Sequence, residues 1–299
     1  MILTDFAKAV GATSSVLFRA KECPRARIWV KLEGQNPSGS VKDRAALYNL
    51  KGAIERGALV GGKTILDASS GNMACSLAYF GAVLGYPVTV VCSSKLTDDK
   101  ARFIQYFGAK LLRLGDYTID GNCYCRDTLM ASEPERYAFL DQLHNWDNPL
   151  AHYETTGPEI IEDLPDVRAV VGSLGSGGTM NGVARFIKEH KPSTKIVTVE
   201  AAMGTKIPGT GAFADGDFVT PFIEQLRRDG LVDHRCEVTV EQAQSKTKEL
   251  AAQGFFCGIQ TGGVVAIAVR IALEQNIAGD VLAISGDAGW KNMDKLIAL

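Results

Sequence analysis

Apolar and polar positions alternate along Arg27-Ile28-Trp29-Val30-Lys31-Leu32-Glu33, and Ile28 and Val30 are β-branched, so the spacing predicts a strand. Gly34-Gln35-Asn36-Pro37-Ser38-Gly39 breaks it with turn residues. Ser40-Val41-Lys42-Asp43 resembles a capping box with Asp in place of Glu or Gln. A helix over 41–56 should follow, with Ala45, Leu47, Leu50 and Ile54 on its inner face. The same alternation then recurs. Strands are predicted over 64–67, 87–91, 110–114 and 137–140, with helices over 73–84, 98–106 and 122–131 between them; Gly85 should end the first of these helices. Residues 141–149 are irregular, polar and aromatic, as a crossing between domains would be. Beyond them, helices over 158–163, 180–190, 241–253 and 263–275 interleave with strands over 168–172, 195–199, 237–240 and 280–284. Residues 202–222, rich in Gly, Pro and Thr, read as a long loop. Strands alternating with helices predict βαβ units and parallel sheets, hence an α/β fold.

Composition narrows the class without naming it. The chain has 299 residues, 46% apolar and 22% charged, which is a globular balance, and its length suggests two domains or one large α/β unit. A net charge of −2 gives no basic surface for nucleic acid and no polybasic membrane anchor. No run reaches the roughly 18 apolar residues of a membrane span, and the first residues carry no basic leader, so a cytoplasmic protein is expected. The cysteines are seven, an odd number, and Cys123-x-Cys125 is not a zinc spacing; reduced structural thiols and no metal site are expected. The 31 glycines follow no collagen period, so they mark turns and close backbone approaches.

The densest glycine cluster is Gly172-Ser173-Leu174-Gly175-Ser176-Gly177-Gly178-Thr179, between a predicted buried strand and a predicted helix. Converging backbone N–H groups and the helix dipole make such a turn an anion site suited to phosphate. The Gly-Lys-Ser/Thr ending of a nucleotide-binding P-loop is absent. A dinucleotide site is one alternative, with Gly175-Ser176-Gly177 as a partial fingerprint and Glu200 as the ribose-binding acid. Pyridoxal 5'-phosphate is another, and it requires a lysine. Lys42 meets that requirement, because the N-terminal turn of a helix disfavours the ammonium form and favours the nucleophilic amine.

At this point several blocks carry a family resemblance. Asn36-Pro37-Ser38-Gly39-Ser40-Val41-Lys42-Asp43-Arg44 resembles the lysine motif of the cysteine synthase and cystathionine β-synthase family, which includes the O-acetylserine sulfhydrylases. Ser69-Ser70-Gly71-Asn72 resembles its substrate-carboxylate loop, and Gly175-Ser176-Gly177-Gly178-Thr179 its cofactor-phosphate loop. Asn148-Pro149, the run from His152 to Ile160, Gly258-Ile259-Gln260-Thr261-Gly262-Gly263 and Asp287-Ala288-Gly289-Trp290-Lys291 resemble further family blocks, in family order.

The resemblance implies fold type II of the pyridoxal phosphate enzymes (tryptophan synthase β-like), with two three-layer α/β domains and the cofactor in the cleft between them. It implies a small mobile domain over 39–145 and a large cofactor-binding domain of 1–38 plus 146–299. The implied activity is β-replacement on an O-activated L-serine, such as O-acetyl-L-serine or O-phospho-L-serine, through an aminoacrylate, with sulfide giving L-cysteine by default. Lys42 would carry the cofactor and act as general base. Asn72 would bond its 3′ oxygen, and Gly175, Ser176, Gly177, Gly178 and Thr179 its phosphate. Ser69, Ser70, Gly71, Met73 and Gln142 would surround the substrate carboxylate. A homodimer acting on small molecules, without nucleic acid or membrane, is likewise implied.

Two departures bear on substrate. The family's carboxylate loop usually continues Thr-Gly, whereas this one continues Met73-Ala74, which removes a hydroxyl donor. Where the family usually has Ser near the pyridine nitrogen, this chain aligns Gln260, so Gln260, Thr261 and Ser285 all stand as partners for that nitrogen. The same chemistry with another nucleophile (an amine, a hydroxyurea-like compound or another thiol) is therefore the alternative. A nicotinamide-dependent oxidoreductase and a non-catalytic binding paralogue are the readings from other classes. His144, His152, Cys75 and Trp146 are expected in structural or rim positions.

Overall fold

The computed structural model describes residues 5–69 and 71–297. Along the chain these form strands β1 (Ser15–Phe18), β2 (Ala26–Leu32), β3 (Thr64–Ala68), β4 (Val88–Cys92), β5 (Lys110–Arg113), β6 (Tyr137–Phe139), β7 (Ala169–Ser173), β8 (Lys195–Ala201), β9 (His234–Val238) and β10 (Gly279–Ser285). The described residues fall into two compact units. One comprises residues 5–10 and Lys42–Asn148, the other Gly11–Val41 and residues 149–297. The first ten residues were expected with the larger domain; the structure places 5–10 in the smaller unit, where the Phe6 ring meets Tyr79 edge-on at 5.9 Å.

The smaller unit is built on a parallel sheet in the order β5-β4-β3-β6. Successive residues of β3 and β4 face opposite sides, and both sides are covered, so apolar residues occupy both faces, with Asp67 and Thr89 as buried polar exceptions. Ile65, Val90 and Cys92 join a core with Leu50, Leu77 and Phe80 from the helices Lys42–Glu55 and Asn72–Leu84. Leu66, Ala68 and Val91 point the other way, toward Cys125 and Leu129. The helix expected over 122–131 runs instead from Thr118 to Tyr124 and then widens into a π-turn, Cys125–Leu129. Ile54, expected inside, is 42% exposed; Ala46 and Ala53 take the inner positions.

The larger unit carries a six-stranded sheet in the order β1-β2-β10-β7-β8-β9, parallel except for the antiparallel edge pair of β1 with β2. The sequence reading missed β1 because only Phe18 of its four residues is buried, so no alternation shows. One face packs Val171, Val197 and Ala283 against the helices Val240–Ala251 and Ile259–Glu274. The other packs Val170, Leu282 and Ile284 against Gly178–His190 and Pro221–Arg228. That last helix was also missed: it starts at the end of the stretch expected to be a loop, with Pro221 at its first position and Thr220 capping Ile223. Ile259–Glu274 begins four residues earlier than expected, since its tandem Gly262-Gly263 reads as a break.

Candidate active site

Lys42 is the first residue of its helix, so the expected capping box is replaced by a different anchor. Ser40 forms an isolated antiparallel bridge with Asp287, and the Val41 N–H donates to the Gly286 carbonyl at 2.9 Å. The backbone just before Lys42 is thus pinned to the loop after β10. Lys42 itself is half-buried, and burial pushes its pKa down to about 8. The helix N-terminus works in the same direction, because its dipole disfavours a cation. Asp43, one residue on, is buried and accepts from Ser76 Oγ at 2.5 Å, which ties the lysine helix to Asn72–Leu84.

Asn72 opens that second helix, directly after the serine loop. Ser69 Oγ accepts from the Gly71 and Ala74 N–H groups at 3.3 and 3.2 Å and so holds the loop against the helix end. Gln142 is buried, and its Nε2 donates to the Ala68 carbonyl at 2.6 Å. Ser70 lies outside the described residues. Met73 was expected to meet substrate, but its side chain is 1% exposed and belongs to the apolar core. What Met73 offers a carboxylate is the backbone N–H of the first helical turn. Behind the loop stands Asp67, which sequence reasoning passed over. Burial pushes its carboxyl up to about 8, against the opposing pull of the Ala68 N–H.

The glycine loop joins β7 to the helix Gly178–His190. Its glycines are required by space and conformation. A Cβ on Gly175 would sit 2.9 Å from the Gly209 carbonyl oxygen, and Gly177 has φ +84° with Ile223 where a side chain would go. Thr220 Oγ1 donates to the Ser176 carbonyl at 2.6 Å, fixing the loop from the far side. The result is a rigid turn ending in a helix N-terminus, which suits a phosphate dianion. Glu200, the acid a dinucleotide site would need, is instead occupied by Arg235 at 3.1 and 3.2 Å.

Gln260 braces this loop: its Nε2 donates to Ser173 Oγ at 2.5 Å and to the Gly209 carbonyl at 2.7 Å, and its amide fills the space beside Gly286. Thr261 and Ser285 are buried and share a hydrogen bond at 2.8 Å. Within the larger unit, Gly175–Thr179 and Gln260 are therefore brought together, while Thr261 and Ser285 form a separate pair. Cys75 is core, and His144 is held by Asp141 at 2.9 Å. His152 takes a structural position, as expected. It is fully buried, and its Nε2 lies 3.2 Å from Thr179 Oγ1 at the end of the glycine loop.

Each unit by itself carries groups suited to pyridoxal phosphate: the smaller a lysine with a lowered pKa, the larger a glycine turn whose backbone admits no side chain at Gly175 or Gly177. Comparisons with known proteins agree. Residues 9–286 match the family model described as pyridoxal-phosphate dependent enzyme. The chain is 36% identical over 249 residues to cysteine synthase B of Salmonella typhimurium, covering 82% of this chain and 80% of that protein. An O-acetylserine dependent cystathionine β-synthase from Helicobacter pylori superposes with a TM-score of 0.89 at 29% identity, covering 100% of both chains. O-ureido-L-serine synthase superposes with a TM-score of 0.88 at 28% identity, covering 99% of this chain and 95% of that one. The lysine and glycine-loop chemistry thus sits on a fold type II scaffold, and the chain belongs to the cysteine synthase family of pyridoxal-phosphate-dependent enzymes.

Proposed function

We propose that this enzyme performs β-replacement on an O-activated L-serine, with O-acetyl-L-serine as first substrate and sulfide as the nucleophile that yields L-cysteine. The observation that carries the reading is Lys42, a half-buried amine at the first residue of its helix, whose pKa burial pushes down to about 8. Bound there, pyridoxal phosphate supplies an electron sink that acidifies the substrate Cα–H and lets a group leave Cβ. Lys42 Nζ would hold the cofactor and would move the substrate α-proton as general base. Gly175 to Thr179 take the phosphate through backbone N–H groups and the Ser176 and Thr179 hydroxyls. Asn72 would bond the cofactor's ring oxygen. Ser69, Ser70, Gly71, the Met73 N–H and Gln142 orient the substrate carboxylate. Gln260 or the Thr261–Ser285 pair would serve the ring nitrogen as a neutral partner. A cytoplasmic homodimer completes the reading, by family resemblance.

A second reading keeps the first half-reaction and changes the nucleophile. Met73 and Gln260 depart from the family's usual residues, and O-ureido-L-serine synthase is among the similar structures. A nucleophile panel separates the two. With O-acetyl-L-serine in excess, sulfide is expected to be consumed at least tenfold faster than hydroxyurea, homocysteine or simple amines, with L-cysteine identified by mass. A larger nucleophile outpacing sulfide would establish the second reading. No Cβ substitution with any activated serine would refute both.

A further inference from the structure

His152 opens a second π-turn, His152–Thr156, in the larger unit. Its ring lies between two hydroxyls: Nδ1 is 2.9 Å from Thr156 Oγ1, and Nε2 is 3.2 Å from Thr179 Oγ1. His152 and Thr156 are both fully buried, whereas Thr179 is half-buried at the second position of its helix. The ring's seat is set by backbone packing. A Cβ on Gly182, one turn along the same helix, would lie 2.8 Å from His152 Cβ and 2.7 Å from the Tyr153 nitrogen. π-turns of this kind place one side chain off the ordinary helical register, often at functional sites.

A hydroxyl–imidazole–hydroxyl chain with a neutral ring has two proton orders. In one, Thr156 donates to Nδ1 and Nε2–H donates to Thr179 Oγ1, so the Thr179 proton is free to point outward. In the other, Thr179 spends its proton on Nε2 and presents only lone pairs outward. A phosphate dianion accepts hydrogen bonds and repels lone pairs, so the first order binds it and the second does not. We infer that His152 is a positioning residue which, backed by Thr156, orients the Thr179 hydroxyl as a donor to the cofactor phosphate. This rests on the reading that Gly175–Thr179 holds that phosphate. It gives His152 a part in cofactor retention without contact to the cofactor.

The test compares pyridoxal phosphate with pyridoxal, which lacks the phosphate, as ligands of the cofactor-stripped protein, followed by absorbance and tryptophan fluorescence. Wild type is expected to prefer the phosphorylated form strongly. His152→Phe should lose about ten- to a hundredfold of pyridoxal phosphate affinity, as for one hydrogen bond to a charged acceptor, with pyridoxal affinity unchanged within twofold. His152→Gln, whose amide still donates, should recover most of the loss. Thr156→Val, nearly isosteric, should show an intermediate loss and covers the case in which the Phe variant does not fold. Nitrogen-15 spectra of the wild-type holoenzyme should show His152 protonated at Nε2. Full phosphate preference in His152→Phe and Thr156→Val, or a ring protonated only at Nδ1, would overturn the proposal. A wild type with no phosphate preference would instead refute the loop assignment, and the role of His152 with it.

Discussion

Lys42→Ala is expected to abolish the visible absorption of the holoenzyme and to lower turnover by ~10³-fold or more, since one change removes both the covalent tether and the general base. The fold should survive, because the half-buried Lys42 is not among the core residues of its unit. Added primary amines should restore a small part of the turnover in the variant. The pH dependence has a definite sign. Lys42 has a folded pKa of about 8, below its ordinary value of 10.5, and only the neutral amine is nucleophilic. Capture of pyridoxal phosphate by the stripped protein should therefore quicken about tenfold per pH unit below 8 and level off above it. Stopped-flow absorbance between pH 6 and 9.5 measures this directly. Stability linkage runs the same way: between about 8 and 10.5 the unfolded chain holds the proton that the folded one has lost, so this group's contribution rises with pH across that window.

Gly182→Ala is the second large effect, and two opposing magnitudes decide it. Alanine gains about 1 kcal/mol over glycine in a helix interior. Against this, the new methyl would overlap the Pro149 carbonyl and approach the Tyr153 nitrogen at 2.7 Å and His152 Cβ at 2.8 Å. Two of these neighbours are backbone and cannot turn aside, so the overpacking cost belongs at or above the upper end of the usual 1–3 kcal/mol. The net expectation is a loss of ~2 kcal/mol in urea unfolding of the stripped protein. Cofactor affinity should also weaken, because the helix that has to move carries Thr179 in its first turn. A variant as stable as wild type would mean that this helix contact is looser than its geometry.

Contiguous features were legible in the sequence, and features made in space were not. The strand, glycines and helix of 169–190 follow one another along the chain, so the strand–turn–helix unit could be read from spacing alone. The turn before Lys42 was equally readable, although its anchor, the Val41 N–H on the Gly286 carbonyl, joins residues 245 positions apart and left no local signal. His152 and Thr179 are 27 positions apart and meet through a π-turn, which has no hydrophobic period of its own. Asp67 stood out only as the last residue of the strand predicted over 64–67. Its raised pKa comes from complete burial, which is a property of the packed unit. Met73 shows the converse: a residue read as a substrate contact from its place in a motif points its side chain into the core, because the first turn of Asn72–Leu84 faces the sheet.

The central claim is that Lys42 is the cofactor lysine. Reduction of the holoenzyme with borohydride, followed by proteolysis and mass spectrometry, tests it most directly, since it fixes the cofactor to whichever amine holds it. The account predicts a pyridoxyl phosphate adduct on Lys42 at close to one per chain, lost in Lys42→Ala. An adduct on another lysine, such as the buried Lys31 or Lys291, or no adduct in a protein that retains cofactor, would contradict it.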